Sequence, residues 1–215
     1  MMSQAGGMDM NALAQRMRRL AMLDTSVFDE VRTDTASTIP AIIVAIGATL
    51  LFGIGGWLWW IFADIPDAGE IFVKSLIIGS IISVVLWAVW LAIVYVILTQ
   101  LFRARADVNE LIRVMGFAAA PLALGVLMFI PGLDYGIGLT ATAMFFGANV
   151  IAVQTATDAP AGRVLAANAV GFLVWSIVLG LLVSDSNVYA PGVFVFDAGK
   201  EVLKSLADFS NSFGF

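Results

Sequence analysis

Apolar residues in this chain fall in long blocks separated by short polar breaks. Five blocks, near residues 39–62, 71–98, 111–130, 138–155 and 164–184, dominate the pattern. Each is close to the roughly 20 residues that cross a hydrocarbon core as a helix. The central block, LIRVMGFAAAPLALGVLMFI, carries Pro121 in its middle. A proline breaks a helix in water, but in a membrane helix neighbouring groups can satisfy the freed carbonyl. Ala118, Ala119 and Ala120 just before it offer a smooth face to another helix. The glycines at 47, 53, 55 and 56 in the first block favour close contact or a local bend. Ala143 with Gly147 and Ala167 with Gly171 repeat a small-xxx-small spacing in the last two. The pattern predicts an all-α fold: an integral membrane bundle of five transmembrane helices, spanning residues 38–184.

The flanks have a different period. In DMNALAQRMRRLAML, residues 9–23, Met10, Leu13, Met17 and Leu20 recur at helical spacing, with Gln15, Arg16, Arg18 and Arg19 mostly off that stripe. Such a helix can lie in the membrane interface with its arginines on anionic headgroups, or pack on the cytoplasmic ends of the bundle. Residues 24–35, DTSVFDEVRTDT, predict one short helix with Ser26 and Asp29 as a weak capping pair and Phe28 and Val31 docking inward. The acids there read as a solvated linker face rather than a metal site. Thr38 is expected to cap the first span, with Pro40 in its opening turn. Residues 185–215 form a tail outside the bundle. In it, Val202, Leu206, Phe209 and Phe213 share one face of a terminal amphipathic helix, and YAPGVFVF, residues 189–196, is an apolar segment exposed for a protein contact.

Composition narrows the class. Hydrophobic residues make up 60% of the chain and charged residues 13%, against about 25% charged in a soluble domain. There is no cysteine and no histidine, which removes disulfides, iron–sulfur clusters and imidazole ligation of haem, zinc or copper. A net charge of −5 argues against nucleic acid as a partner. No nucleophile–base pair, phosphate-cradling glycine loop or metal-spaced cluster occurs, so an enzyme and a bound cofactor are not expected. Residues 1–35 contain no apolar run of signal-peptide type, so the first span is expected to be the insertion signal.

The positive charges set a topology. With the N-terminus in the cytoplasm, all eight arginines lie on that side and the three lysines, Lys74, Lys200 and Lys204, lie outside. The expected location is the cell membrane, with the C-terminus extracytoplasmic. Inside the spans the deepest polar side chains are Asn149, Gln154 and Asn168, read as interhelical hydrogen-bonding groups; a small transporter or channel would use the same three. Lys74 and Arg113 sit near span ends, within snorkelling reach. Trp57, Trp59 and Trp60 crowd the end of the first span as an interfacial aromatic group.

The residues Gly116-Phe117-Ala118-Ala119-Ala120-Pro121 resemble the Gly-Tyr-x-x-x-Pro signature in the third span of the Yip family, five-span membrane proteins named for interaction with Ypt/Rab GTPases. Phe117 stands where tyrosine is usual and keeps the ring without the hydroxyl. The short Pro-Gly turn after this span fits as well. The opening, RRLAMLDTSVFDEVRTDTAS before a glycine-rich span, is similar to the start of prokaryotic members. The resemblance covers residues 16–184. It implies a cytoplasmic N-terminus and, in eukaryotic members, ER–Golgi traffic and Rab binding. This chain lacks their Asp-Leu-Tyr-Gly-Pro-type stretch, so Rab-type GTPase binding is not carried over. The expected function is a non-enzymatic scaffold or membrane organiser, with membrane lipids and other membrane proteins or copies of itself as partners. The alternatives are an accessory subunit of an energy-transducing membrane complex and a small transporter or channel.

Overall fold

The computed structural model describes residues 9–63, 68–183 and 188–192. Two short helices, α1 (Met10–Ala21) and α2 (Val27–Thr33), precede five helices long and apolar enough to cross a membrane. The first span is Thr38–Phe62, entered through a single 3₁₀ turn at Thr35–Ser37. The second is Ala68–Leu101, the third Val108–Phe129, the fourth Asp134–Thr155 and the fifth Ala161–Leu181. The described residues contain no strand; one isolated bridge, Ala106 with Thr157, ties the loops at the end that carries α1 and α2. The five-span reading of the apolar blocks therefore holds.

The spans close into a ring. The first packs on the third, the third on the fourth, the fourth on the fifth, the fifth on the second, and the second back on the first. The short turn between spans three and four makes them an antiparallel hairpin, as expected from the Pro-Gly sequence. Gly132 sits there at φ +80°, a backbone region that L side chains avoid.

Two spans depart from α geometry. The third is α-helical only over Val108–Ala118 and continues as a 3₁₀ helix over Ala120–Phe129, with Pro121 in its opening turn. The Ala119 amide donates to the Gly116 carbonyl and the Leu122 amide to Ala119, an i→i−3 pattern on either side of the proline. A proline removes one i→i−4 bond and crowds the carbonyl four residues back, so the tighter winding relieves both. The second span winds as π-helix over Phe72–Gly79 and Ile97–Leu101, on either side of the α segment Ser80–Val96. At the first of these the Ser75 hydroxyl donates to the Ala190 carbonyl at 2.6 Å. A Cβ on Gly79 would lie 2.9 Å from Ala190.

That contact corrects one expectation. Ala190, Pro191 and Gly192 are buried, and Gly192 lies against Gly56 and Phe52 of the first span. The start of the 189–196 segment is wedged between spans one and two rather than exposed for a partner. The tail helix built on Val202, Leu206, Phe209 and Phe213 lies outside the described residues.

Both capping expectations also change. Ser26 makes no capping hydrogen bond at α2; Asp24 accepts instead from the Ser26 amide and hydroxyl. Thr38 is the first helical residue rather than the cap, and its hydroxyl donates to the Thr35 carbonyl. In each case an aspartate just upstream takes the free donors: Asp34 accepts from the Ala36 amide and the Ser37 hydroxyl. Ionised carboxylates accept such bonds more strongly than hydroxyls.

Candidate functional site

The Gly116–Pro121 segment sits at a junction of three contacts. Gly116 presses on the first span, where a Cβ would stand 2.6 Å from the Ala41 carbonyl oxygen. Phe117 is fully buried. Pro121, with Ala120, Leu124 and Leu127 of the 3₁₀ stretch, lines one wall of a lateral groove of about 610 Å³. Met144, Gly147 and Ile151 of the fourth span form the facing wall, and Met17, Leu20, Ala21 and Leu23 at the end of α1 close one side. Thr25 brings the lining's one side-chain hydroxyl. The 3₁₀ stretch also meets the first span directly. An ideal Cβ on Gly55 would fall 1.8 Å from the Gly125 carbonyl oxygen, so only paired glycines allow this approach.

A charged clasp holds α1 in place. Asp9 caps it by accepting from the Asn11 and Ala12 amides. Leu13 is buried in the common core and Met17 and Leu20 pack on it, which realises the apolar stripe. Arg16 bonds Glu30 at 2.8 Å, Asp34 at 2.9 Å and the Ser37 hydroxyl at 2.7 Å. Arg19 bonds Asp24, Glu30 and the Ser26 hydroxyl. The acids expected as a solvated linker face are thus the partners of α1. Hydrogen bonds from Ser26, then Arg19, pull the Asp24 carboxyl down to about 2. Arg16, then Arg19, lowers that of Glu30, and the Ser37 hydroxyl lowers that of Asp34. Arg18 is exposed and makes no ion pair among the described residues. Of the three arginines expected at lipid, two are engaged within the chain and one has no ion-pair partner among the described residues.

Arg113 is a correction. It does not snorkel: it is 6% exposed and donates through Nε and Nη2 to the Arg32 carbonyl. Arg32 in turn donates to the Thr155 carbonyl at 2.6 Å. Guanidinium groups therefore satisfy the free carbonyls that helix ends leave behind, at α2 and at the fourth span.

The deep polar residues do not converge across helices. Asn149 and Asn168 are fully buried, but each donates to its own helix four residues back, to Phe145 and Val164. Gln154 donates to Ala159 in the turn that follows its helix. The side-chain oxygens of all three have no partner. In place of the expected interhelical bonds, Asn149 and Asn168 bond the carbonyl one turn back on their own helices, the local choice open to short polar side chains. Of the expected small-residue faces, Ala167 is buried and Gly171 receives the Trp90 indole, whereas Ala143 is exposed and Gly147 has open space beside it.

At the far end Trp57 donates to the Ala68 carbonyl and stacks edge-on to Phe72, and Trp59 donates to Asp134 at 2.8 Å. Trp60 lies edge-on to Trp59. The group ties the first span to the starts of the second and fourth. Lys74 is paired with Glu70 and lies over the Tyr189 ring.

Sequence reasoning missed the Gly55–Gly125 approach and the core aromatic cluster. In that cluster Trp90, fully buried, meets Phe145 and Phe172 edge-on, and Phe172 stacks on Trp175. Glycines 55 and 125 carried a signal as small residues, but their pairing needs the 3₁₀ winding. No group of His, Cys, Asp or Glu among the described residues could hold a metal ion. A family model described as the Yip1 domain matches residues 23–184. No curated protein and no solved structure matches the chain.

Proposed function

Because the chain belongs to the Yip1-domain family of multi-pass membrane proteins, we propose that it works as a non-enzymatic scaffold or membrane organiser. It acts through lipid and protein contacts rather than through chemistry. One observation carries this reading: the segment that bears the family motif builds a contact surface. Gly116 joins two spans backbone to backbone, and Pro121 lines an apolar groove that α1 flanks. Arg16 of α1 holds that helix in place through ion pairs to Glu30 and Asp34, outside the groove, and no reactive pair lines the groove. The distribution of arginines supports an orientation with α1 and the N-terminus on the cytoplasmic side of the membrane, the cell membrane in this reading.

The test is gentle extraction of the native protein, separation on a native gel, and mass spectrometry of the band that contains it. A band holding this chain, alone or self-associated, with lipid supports the organiser. A large band with other subunits at constant ratio replaces it with the accessory-subunit reading. Solute uptake that changes when Asn149 and Asn168 become Leu in a folded protein would overturn both in favour of a transporter.

A further inference from the structure

We propose that the lateral groove binds one acyl chain of an anionic phospholipid, with the headgroup beside Arg18. The proposal rests on reading this face as a lipid-contact surface and names the lipid and its site.

Three observations select that occupant. The lining is apolar on every wall except for Thr25, so a ligand with unpaired polar groups would leave them unsatisfied in hydrocarbon. The volume of about 610 Å³ lies within the range of small-molecule sites. The third observation is charge and position. Arg18 lies one turn before Ala21, which lines the groove, and it makes no ion pair among the described residues. Arg16 and Arg19 are committed to Glu30, Asp34 and Asp24. Beside Arg18, Met22 and Leu23 are apolar and 65% and 71% exposed. Free cation and exposed apolar side chains at one helix end are the mixture found at the headgroup boundary. The groove therefore opens at headgroup level and runs into the hydrocarbon along the 3₁₀ stretch.

Gly147 supplies the decisive variant. It lines the groove, and a Cβ added there meets nothing within 4 Å. Gly147→Phe puts a ring into the groove from a position where the Cβ itself meets no neighbour.

The full-length protein is placed in nanodiscs of phosphatidylcholine and phosphatidylglycerol, one of which carries a photoreactive group in its acyl chain. Labelled residues are mapped by mass spectrometry. Leu173, 53% exposed on the fifth span, reports ordinary contact with bulk lipid. The expected result is labelling at Leu124, Met144 and Ile151 above that at Leu173. The phosphatidylglycerol probe should exceed the phosphatidylcholine probe about fivefold there, the equivalent of about 1 kcal/mol for one arginine near the surface. Gly147→Phe abolishes groove labelling and leaves Leu173 unchanged. Arg18→Gln keeps groove labelling but equalises the two probes. Should Gly147→Phe fail to fold, Ile151→Trp, at a groove residue that is 45% exposed, takes its place. Groove labelling no higher than at Leu173, or unaltered by the filling variant, overturns the site. A phosphatidylglycerol preference that survives Arg18→Gln overturns the headgroup assignment, and a cross-link to a second copy shows that protein covers the groove. A chain that migrates alone yet shows no groove labelling keeps the organiser reading and loses this one; fixed partner subunits beside intact groove labelling do the reverse.

Discussion

Gly116→Ala tests whether the family-motif glycine is a backbone contact. The added Cβ would stand 2.6 Å from the Ala41 carbonyl oxygen, 2.7 Å from its carbonyl carbon and 2.7 Å from its Cβ. Ordinary contact begins at 3.4 Å, so the first and third spans must part by about 0.8 Å at this point. Two of the three obstructing atoms are backbone and cannot rotate away. A gap of 0.5–1 Å forfeits roughly a quarter to a half of the dispersion well of each facing pair. Ala41, Ala45, Phe117 and Ala118 are all buried at or near this contact. Overpacking of well-packed cores costs typically about 1–3 kcal/mol, and a backbone obstruction belongs in the upper part of that range. The expected loss is about 2–3 kcal/mol, read by reversible unfolding of the purified protein in lipid. Ala41→Gly removes the Cβ but leaves the carbonyl, so the double variant should recover little. A Gly116→Ala protein as stable as the parent, or full recovery in the double variant, would refute the backbone-contact account.

Other outcomes follow from the same geometry. Arg16→Ala removes ion pairs to Glu30 and Asp34; it should weaken docking of α1 by about 1–2 kcal/mol, since the partners are half exposed, and raise proteolysis after α1. Asp24, Glu30 and Asp34 titrate below their ordinary values in the folded state. A depressed carboxylate stabilises above its unfolded value and loses that contribution as pH falls through its folded value. Docking of α1 should therefore be constant above pH 5 or so and fail between 3.8 and about 2 for Asp24, followed by amide exchange or protease sensitivity; loosening near neutrality would contradict the assignment. Asn149→Leu removes a buried oxygen with no partner, so stability should stay level or rise by about 1 kcal/mol in the same unfolding assay; a loss above 2 kcal/mol would mean that this oxygen has a partner.

The bundle was legible because bilayer thickness imposes it: apolar blocks of the right length, broken by short turns, have few other solutions. Gly116 and Pro121 were legible as a motif, but their consequences were not. A proline announces the loss of one hydrogen bond; it does not announce that ten residues, Ala120–Phe129, will wind as 3₁₀, because runs beyond three or four are uncommon. Without that winding Gly125 could not be matched to Gly55, nor Leu124 to the wall facing Met144. The roles of Arg16, Arg19 and Arg113 also escaped the pattern. Arginines beside an apolar stripe suit an interface as well as an ion pair, and only the placement of α2 decides. Asn149 and Asn168 were found as buried polar groups, yet their choice of partner is local, one turn back on their own helices.

Pro121 links these features, and the link can be measured. A 3₁₀ helix turns about 120° and rises about 2.0 Å per residue, against about 100° and 1.5 Å for α. Six residues beyond Ala119, an α-helical continuation would have fallen behind by roughly 120° and 3 Å, enough to swing Gly125 off the first span and bring a side chain into its place. The clash that a Cβ on Gly55 would make with the Gly125 oxygen, 1.8 Å away, thus exists only while the third span is wound by Pro121. Gly55→Ala should be severe in the parent and milder after Pro121→Ala, where the restored amide can donate to the Phe117 carbonyl and extend the α segment. The coupling expected between residues that share a backbone shift is about 0.5–3 kcal/mol. Unfolding of the parent, both single variants and the double variant gives it directly. Additive losses would mean that the 3₁₀ winding is held by packing alone, and that the proline in the motif is a passenger at a site that Gly55, Gly116 and Gly125 already define.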